Sequence, residues 1–245
     1  MQTLFIRKIF DLFRKQIALI ILLFLISNAL MAQQSRRKFQ ADYDAKNMRF
    51  GYLIGIFQSN FHISTNGFLI QQKTSSITSK PLMGFKLGGL VNFAINEYWD
   101  FRILPTVSLP RRNISIVDSL GKKTDYTQGD KAWFEIPVML KYKSERRGNE
   151  RMYIFAGLRY GAETNTALKL GGKKQASSGQ IPLKGHDFSI EYGIGLELFR
   201  EYFKFAPELH FSHGIKNLVD PLNSKDLRIT DKITTHSVTL YFIFE

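Results

Sequence analysis

Strict alternation is what most constrains this chain. In FSIEYGIGLELF, Phe188, Ile190, Tyr192, Ile194, Leu196 and Leu198 alternate with Ser189, Glu191, Gly193, Gly195 and Glu197. Successive side chains of a strand point to opposite faces, so a period of two predicts a strand with one fat apolar face and one small, ionic face. The pattern recurs in FGYLIGIF, GFKLGGLVNFAI, EYWDFRILPTVSL, WFEIPVMLKY, MYIFAGLRYG, FKFAPELHFS and HSVTLYFIFE, which makes eight segments in all. Eight is even, and each segment is near the roughly 9–11 residues that a tilted membrane strand needs.

A soluble sandwich or lipocalin-like cup turns its apolar row inward, whereas a membrane barrel turns it out to lipid. The connections discriminate between them. Those after the first, third, fifth and seventh segments are long (about residues 61–83, 111–132, 164–187 and 214–235), and those after the second, fourth and sixth are short (residues 96–97, 143–151 and 200–202). This predicts an all-β fold: an eight-stranded antiparallel up-and-down transmembrane β-barrel with short periplasmic turns, long extracellular loops and both chain ends on the periplasmic side.

The polar row then lines a narrow lumen. It carries Lys86, Asp100, Arg102, Glu135, Lys141, Arg159, Glu191, Glu197, Lys204, Glu208 and His210, interleaved with glycines that make room for larger neighbours. In so small a barrel side chains fill the interior, and open conduits come with about 16 strands or more. Ions there need counter-ions, because desolvation otherwise costs several kcal/mol each. If the turn between Lys141 and Tyr153 pairs simply, Glu135 and Arg159 fall opposite each other. These residues are expected to form a structural lumen network. Trp99 is expected at the lower membrane interface, with Phe101 and Ile103 in lipid above it.

The first residues predict export. Arg7, Lys8, Arg14 and Lys15 precede an apolar run over residues 17–26, followed by Ser27, Asn28, Ala29 and Ala32. That order reads as a signal peptide, residues 1–32, cleaved after Ala32 although Leu30 at the −3 position is not small. The run is short of the roughly 20 apolar residues that span a bilayer as a helix. Residues 33–47, which include Arg36, Arg37 and Lys38, lack periodicity and read as a flexible periplasmic lead-in, leaving residues 48–245 as the barrel domain. Without the leader the chain keeps 30 basic against 20 acidic residues, a net charge of +10. Export separates it from nucleic acid, so its partners are the outer-membrane lipid bilayer and anionic lipopolysaccharide or an acidic protein.

Chemistry is sparse. The absence of cysteine removes disulfides, thiolate metal sites and a cysteine nucleophile. The five histidines lack metal-ligand spacing, and no catalytic, metal or cofactor site is expected. His186 beside Asp187 and Ser212 beside His213 are the only pairs that would support a second reading, a lipid-modifying or hydrolytic outer-membrane enzyme. Adjacent strand residues face opposite ways, which makes Ser212 and His213 a poor dyad. A passive structural or adhesion barrel is a third reading. GGKKQASSG, residues 171–179, lacks the order of a phosphate-binding loop and reads as surface.

The chain resembles a known family through WFEIPVMLKYKSERRGNERMYIFAGLRYG and DFSIEYGIGLELFREYFKFAPELHFSHGIKNL, and more loosely over residues 48–245. These segments are similar to the PorT family of Bacteroidetes outer-membrane barrels. The resemblance implies a part in type IX secretion, which carries folded cargo across the outer membrane, as a required component distinct from the large pore and in contact with other secretion components. The last segment resembles the terminal-strand signal by which such barrels are recognised for assembly, although Glu245 departs from the usual terminal aromatic.

Overall fold

The computed structural model describes residues 38–65, 74–110, 112–118, 121, 123–128, 132–164, 185–218 and 230–245. The expected signal peptide and the GGKKQASSG segment lie outside the described residues. The strands are, in chain order, β1 (Met48–Thr65), β2 (Thr74–Lys80), β3 (Leu82–Ala94), β4 (Trp99–Ile103), β5 (Thr106–Leu109) and β6 (Arg112–Asp118). They continue with β7 (Lys123–Gln128), β8 (Trp133–Lys143), β9 (Glu150–Glu163), β10 (His186–Phe199), β11 (Lys204–Gly214) and β12 (Thr230–Phe244).

The main sheet closes on itself, because β1 pairs with both β12 and β3, each antiparallel. Around the ring the order is β1, β12, β11, β10, β9, β8, β4 with β5, then β3. β4 and β5 together occupy one place, each pairing with β3 and β8, so the ring has eight positions. Closure leaves no edge, which is the condition for strands to cross hydrocarbon.

Proline stands at the interruptions that alternation alone did not show, although β8 and β11 run unbroken through Pro137 and Pro207. The segment from Trp99 to Leu109, expected as one strand, breaks at Leu104 and Pro105. Proline has no N–H to give the ladder. The Pro105 carbonyl still accepts from Gly89 N (3.0 Å), and Leu104 N donates to the Pro137 carbonyl (3.0 Å). Pro81 separates β2 from β3, and Pro110 lies between β5 and β6. Beyond these breaks β2, β6 and β7 form a second sheet in the order β2-β6-β7. Two connections expected as loops therefore contain strands.

The short turns have local causes. Asn96 Oδ1 accepts from the backbone N–H groups of Tyr98 (2.9 Å) and Trp99 (2.8 Å), the hydrogen bonding of an Asx turn. Gly148 turns the chain between β8 and β9 with φ 62°, a conformation open to glycine at little cost.

The burial pattern is that of a soluble protein reversed. Outward side chains are apolar and exposed, with Phe50 at 65 % and Met152 at 66 %, while Arg102, Lys141 and Glu197 inside are at 1 % or less. Inward glycines make room for rings. A Cβ on Gly195 would lie 2.3 Å from the Tyr153 ring, and one on Gly55 would lie 2.7 Å from the Tyr241 ring. These rings join Leu53, Leu90, Met139 and Phe155 in an apolar layer within the bore.

Of residues 33–47, expected as a flexible lead-in, 33–37 lie outside the described residues, and in 38–47 a 3-10 turn at Ala41–Tyr43 tucks the segment against the short-turn end. Gln40 enters it with φ 49°, uncommon outside glycine. The Tyr43 side chain is buried edge-on to Phe199, with ring centroids 5.3 Å apart.

Candidate functional site

Because every second residue of a ring strand points inward, the bore collects ionic groups from all sides. The eleven residues expected inside are all buried. They are brought together around carboxylates, in layers along the axis.

Nearest the short turns, Asp100 accepts from Lys143 Nζ (2.6 Å), Asn92 Nδ2 (3.0 Å) and Arg49 Nη2 (3.2 Å). Glu197 accepts from Arg151 Nε (2.6 Å), Lys204 Nζ (2.9 Å) and Lys141 Nζ. Midway, Glu208 accepts from Arg102 Nη1 (2.7 Å) and from the Tyr153 hydroxyl. β4 and β11 stand on opposite sides of the ring, so the Arg102–Glu208 pair spans the bore.

Farther along, His210 lies between two carboxylates, with Nε2 2.7 Å from Glu208 and Nδ1 2.7 Å from Glu191. The bridge is satisfied at both ends when both ring nitrogens carry hydrogen. Glu135 accepts from Lys86 Nζ (2.7 Å), Ser108 Oγ (2.7 Å) and Arg159 Nη1 (3.2 Å). Arg159 also reaches Ser189 Oγ (2.9 Å) and Asp187 Oδ2 (3.4 Å).

The expected pairing of Glu135 directly opposite Arg159 needs correction. Across the β8–β9 ladder Glu135 faces Gly161, and Arg159 faces Pro137, a displacement of two residues. The long Arg159 side chain bridges the diagonal, and the ion pair forms. The ladder closes with Lys143 opposite Tyr153, two residues later than a turn starting at Lys141 would give, and that turn sets the register.

Several buried groups escaped the sequence reading: Arg49, Lys143, Arg151 and Asp187. Each has the parity of its inward neighbours, so extending the alternation by one step finds them. Glu245 likewise continues the inward row of β12 one step past Ile243, whereas Tyr43, in the turn before β1, follows no such parity rule. The Tyr43 hydroxyl donates to Glu245 Oε2 and accepts from Lys204 Nζ, while Glu245 Oε1 lies 2.7 Å from Lys204 Nζ. Arg146 donates to the Phe39 and Gln40 carbonyls and lies 3.6 Å over the Phe199 ring, and Arg151 Nη1 holds Asp44 at 2.9 Å. Beside this closure is a cleft of about 670 Å³ lined by Lys38, Asp44, Glu97, Lys143, Arg146 and Arg151, among others.

Burial alone would raise the Glu245 carboxyl, but the nearby charges of Lys204, Lys141 and Arg102 outweigh it and hold the group below the usual carboxylate range. Burial, opposed by Lys204 and reinforced by Glu245, pushes the Tyr43 phenol up. A carboxyl depressed by folding contributes stability above its unfolded value, near pH ~4.3, and loses that contribution as pH falls through the folded value. Glu245→Gln is therefore expected to lower the urea midpoint at pH 7, with the gap to wild type closing on acidification. Parallel unfolding curves at several pH values check this.

Neither candidate dyad assembles. His186 lies beside Tyr160, its Nδ1 2.7 Å from that hydroxyl, while Asp187 points inward to Arg159 and Thr235. Ser212 is buried and His213 exposed. Among the described residues no group of three histidine, cysteine or carboxylate side chains is drawn together as a ready metal site.

An ionic bore, a lipid-compatible exterior and a closed ring define the class of protein. The family model described as outer membrane protein beta-barrel domain matches residues 31–220. The chain belongs to this outer-membrane β-barrel family. Embedding in the outer-membrane bilayer follows from it, and the exposed apolar row is the surface that meets lipid. No curated protein matches the sequence. Among solved structures, the barrel is similar to OprG of Pseudomonas aeruginosa at 10 % identity and a TM-score of 0.42, covering 80 % of this chain and 91 % of that one. Neisserial surface protein A gives 11 % identity and a TM-score of 0.42, with 81 % and 98 % covered. Ail of Yersinia pestis gives 14 % and 0.34, with 81 % and 98 % covered.

Proposed function

We propose that this outer-membrane barrel is an accessory component of a type IX protein-secretion machinery, acting through contacts with other envelope proteins and not as the conduit. The observation that carries the non-conducting part is the Arg102–Glu208 pair, which meets at 2.7 Å between strands on opposite sides of the ring. Above and below it the bore holds further ion pairs and aromatic rings. A folded cargo protein does not fit where two side chains from facing walls touch.

The secretion part rests on the resemblance of the β8–β9 and β10–β11 hairpin sequences to the PorT family. In this reading residues 1–32 are a cleaved leader, and the short turns and residues 38–47 face the periplasm. The charged cleft beside residues 143–151 offers secretion partners a place to dock, and the basic outer loops meet lipopolysaccharide.

The deciding experiment compares the secreted proteomes of wild type, a deletion strain and the complemented strain. Cargo is expected to vanish from the medium on deletion and to return on complementation. Normal cargo release from the deletion strain overturns the proposal. The purified barrel is expected to give no steady conductance in planar bilayers.

A further inference from the structure

Of the five histidines, one bridges carboxylates inside the bore, and three of the others come together on the outer wall. His213 on β11 and His236 on β12 are direct cross-strand partners. Their Nδ1 atoms lie 2.8 Å apart. His62 on β1 stands diagonal to His236, since His236 pairs with Asn60, and the two ring centroids are 5.3 Å apart. The cluster sits where the outward row changes character: Phe211 and Val238 precede His213 and His236 toward the short turns, and Gln58 and Asn60 precede His62 on β1. His62 and His213 are exposed on the outer wall and His236 is half-buried, with the exposed Ile190 of β10 level with His213.

We infer that His213 and His236 form a binding site for a late first-row divalent transition ion, copper(II) foremost, with His62 as a third donor. Two neutral imidazoles whose Nδ1 atoms face each other share one hydrogen, and a metal ion takes the place of that hydrogen on both lone pairs. At a metal–nitrogen distance of about 2.0–2.1 Å, a right-angle bite places two nitrogens roughly 2.9 Å apart and a tetrahedral bite about 3.3 Å apart. The 2.8 Å separation is close to the right-angle value. Tetragonal nitrogen ligation is the preference of copper(II) and nickel(II), and copper binds tightest in the series.

The far nitrogen of His213 is already held: Nε2 lies 3.1 Å from the Tyr192 hydroxyl, with the two rings stacked at 5.6 Å. When His213 Nε2–H donates to the Tyr192 oxygen, Nδ1 keeps its lone pair and is able to ligate. His62 stands on the other side of His236; its ring is not placed to ligate as it stands and would reach the ion only by turning about its side-chain bonds, with water completing the sphere.

The test uses the full barrel refolded in detergent micelles, with folding of every variant verified by heat-modifiable gel mobility. Calorimetric titration with Cu²⁺, Ni²⁺ and Zn²⁺ is expected to give one Cu²⁺ per chain, bound at least tenfold more tightly than by His213→Ala or His236→Ala. His186→Ala, remote from the cluster, is expected to bind as wild type does. Electron paramagnetic resonance of the Cu²⁺ form is expected to show coupling to imidazole nitrogen. Equal Cu²⁺ affinity in wild type, His213→Ala and His236→Ala, or a spectrum without nitrogen coupling, overturns the site. An unchanged His62→Ala overturns the third donor.

Discussion

Glu197→Leu is expected to destabilise the folded barrel by about 3–5 kcal/mol, the usual cost of removing one partner of a buried ion pair. Glu197 is the common acceptor of Lys141, Arg151 and Lys204, each of them buried. Without it those cations are left close together with little to offset their desolvation. Arg151 keeps Asp44 and Lys204 keeps Glu245, so Lys141 is the one left most exposed to the loss. Adding Lys141→Met to Glu197→Leu is therefore expected to recover part of the stability, because an apolar pair of similar volume is often no worse than a buried ionic one. Urea unfolding of the refolded barrel, followed by the fluorescence of Trp99 and Trp133, measures both variants. A Glu197→Leu midpoint equal to wild type shows the cluster to be hydrated and energetically slack.

Ile194→Arg probes the other face. Ile194 lies in the middle of the outward row of β10, between Tyr192 and Leu196, and is 54 % exposed. On a water-facing wall an exposed isoleucine exchanges for arginine at little cost. On a lipid-facing wall an arginine near the bilayer midplane costs about 2–4 kcal/mol, falling to ~0–1 near the interfaces. Tyr202→Arg is the matched control, since Tyr202 is 88 % exposed in the β10–β11 turn. Unfolding from lipid vesicles is expected to show the large loss for Ile194→Arg and almost none for Tyr202→Arg. Equal, small effects at both positions contradict a lipid-facing row.

Much of the architecture was legible because a strand's period of two survives any tertiary arrangement. Phe188 to Leu198 had to share a face whatever they packed against, and so did Glu191 and Glu197 on the other. The long and short connections then chose the inverted arrangement over the soluble one. Pro81, Pro105 and Pro110 were equally visible and each lies at a break, but β8 and β11 run through Pro137 and Pro207, so proline alone does not fix where a strand stops. The residues at the ends of strands, Arg49, Lys143, Arg151 and Asp187, were within reach of the same rule.

Partners were not legible in the same way. Alternation assigns a face and says nothing about axial offset, so Glu135 met Arg159 on a diagonal and not across the ladder. Arg102 and Glu208 are 106 residues apart and touch because closing the ring sets β4 and β11 face to face. The His213–His236 pair depends on the register of β11 against β12, and His62 joins it through the register of β1. The turn of residues 38–47, seated by Tyr43, has no periodicity to read; it forms because Lys204, Glu245 and Arg146 supply partners at the mouth. By itself, then, the sequence determined which side chains face lipid and which face the bore. Only the tertiary structure decided which of them meet, because stagger and closure are properties of the whole ring and no single strand carries them.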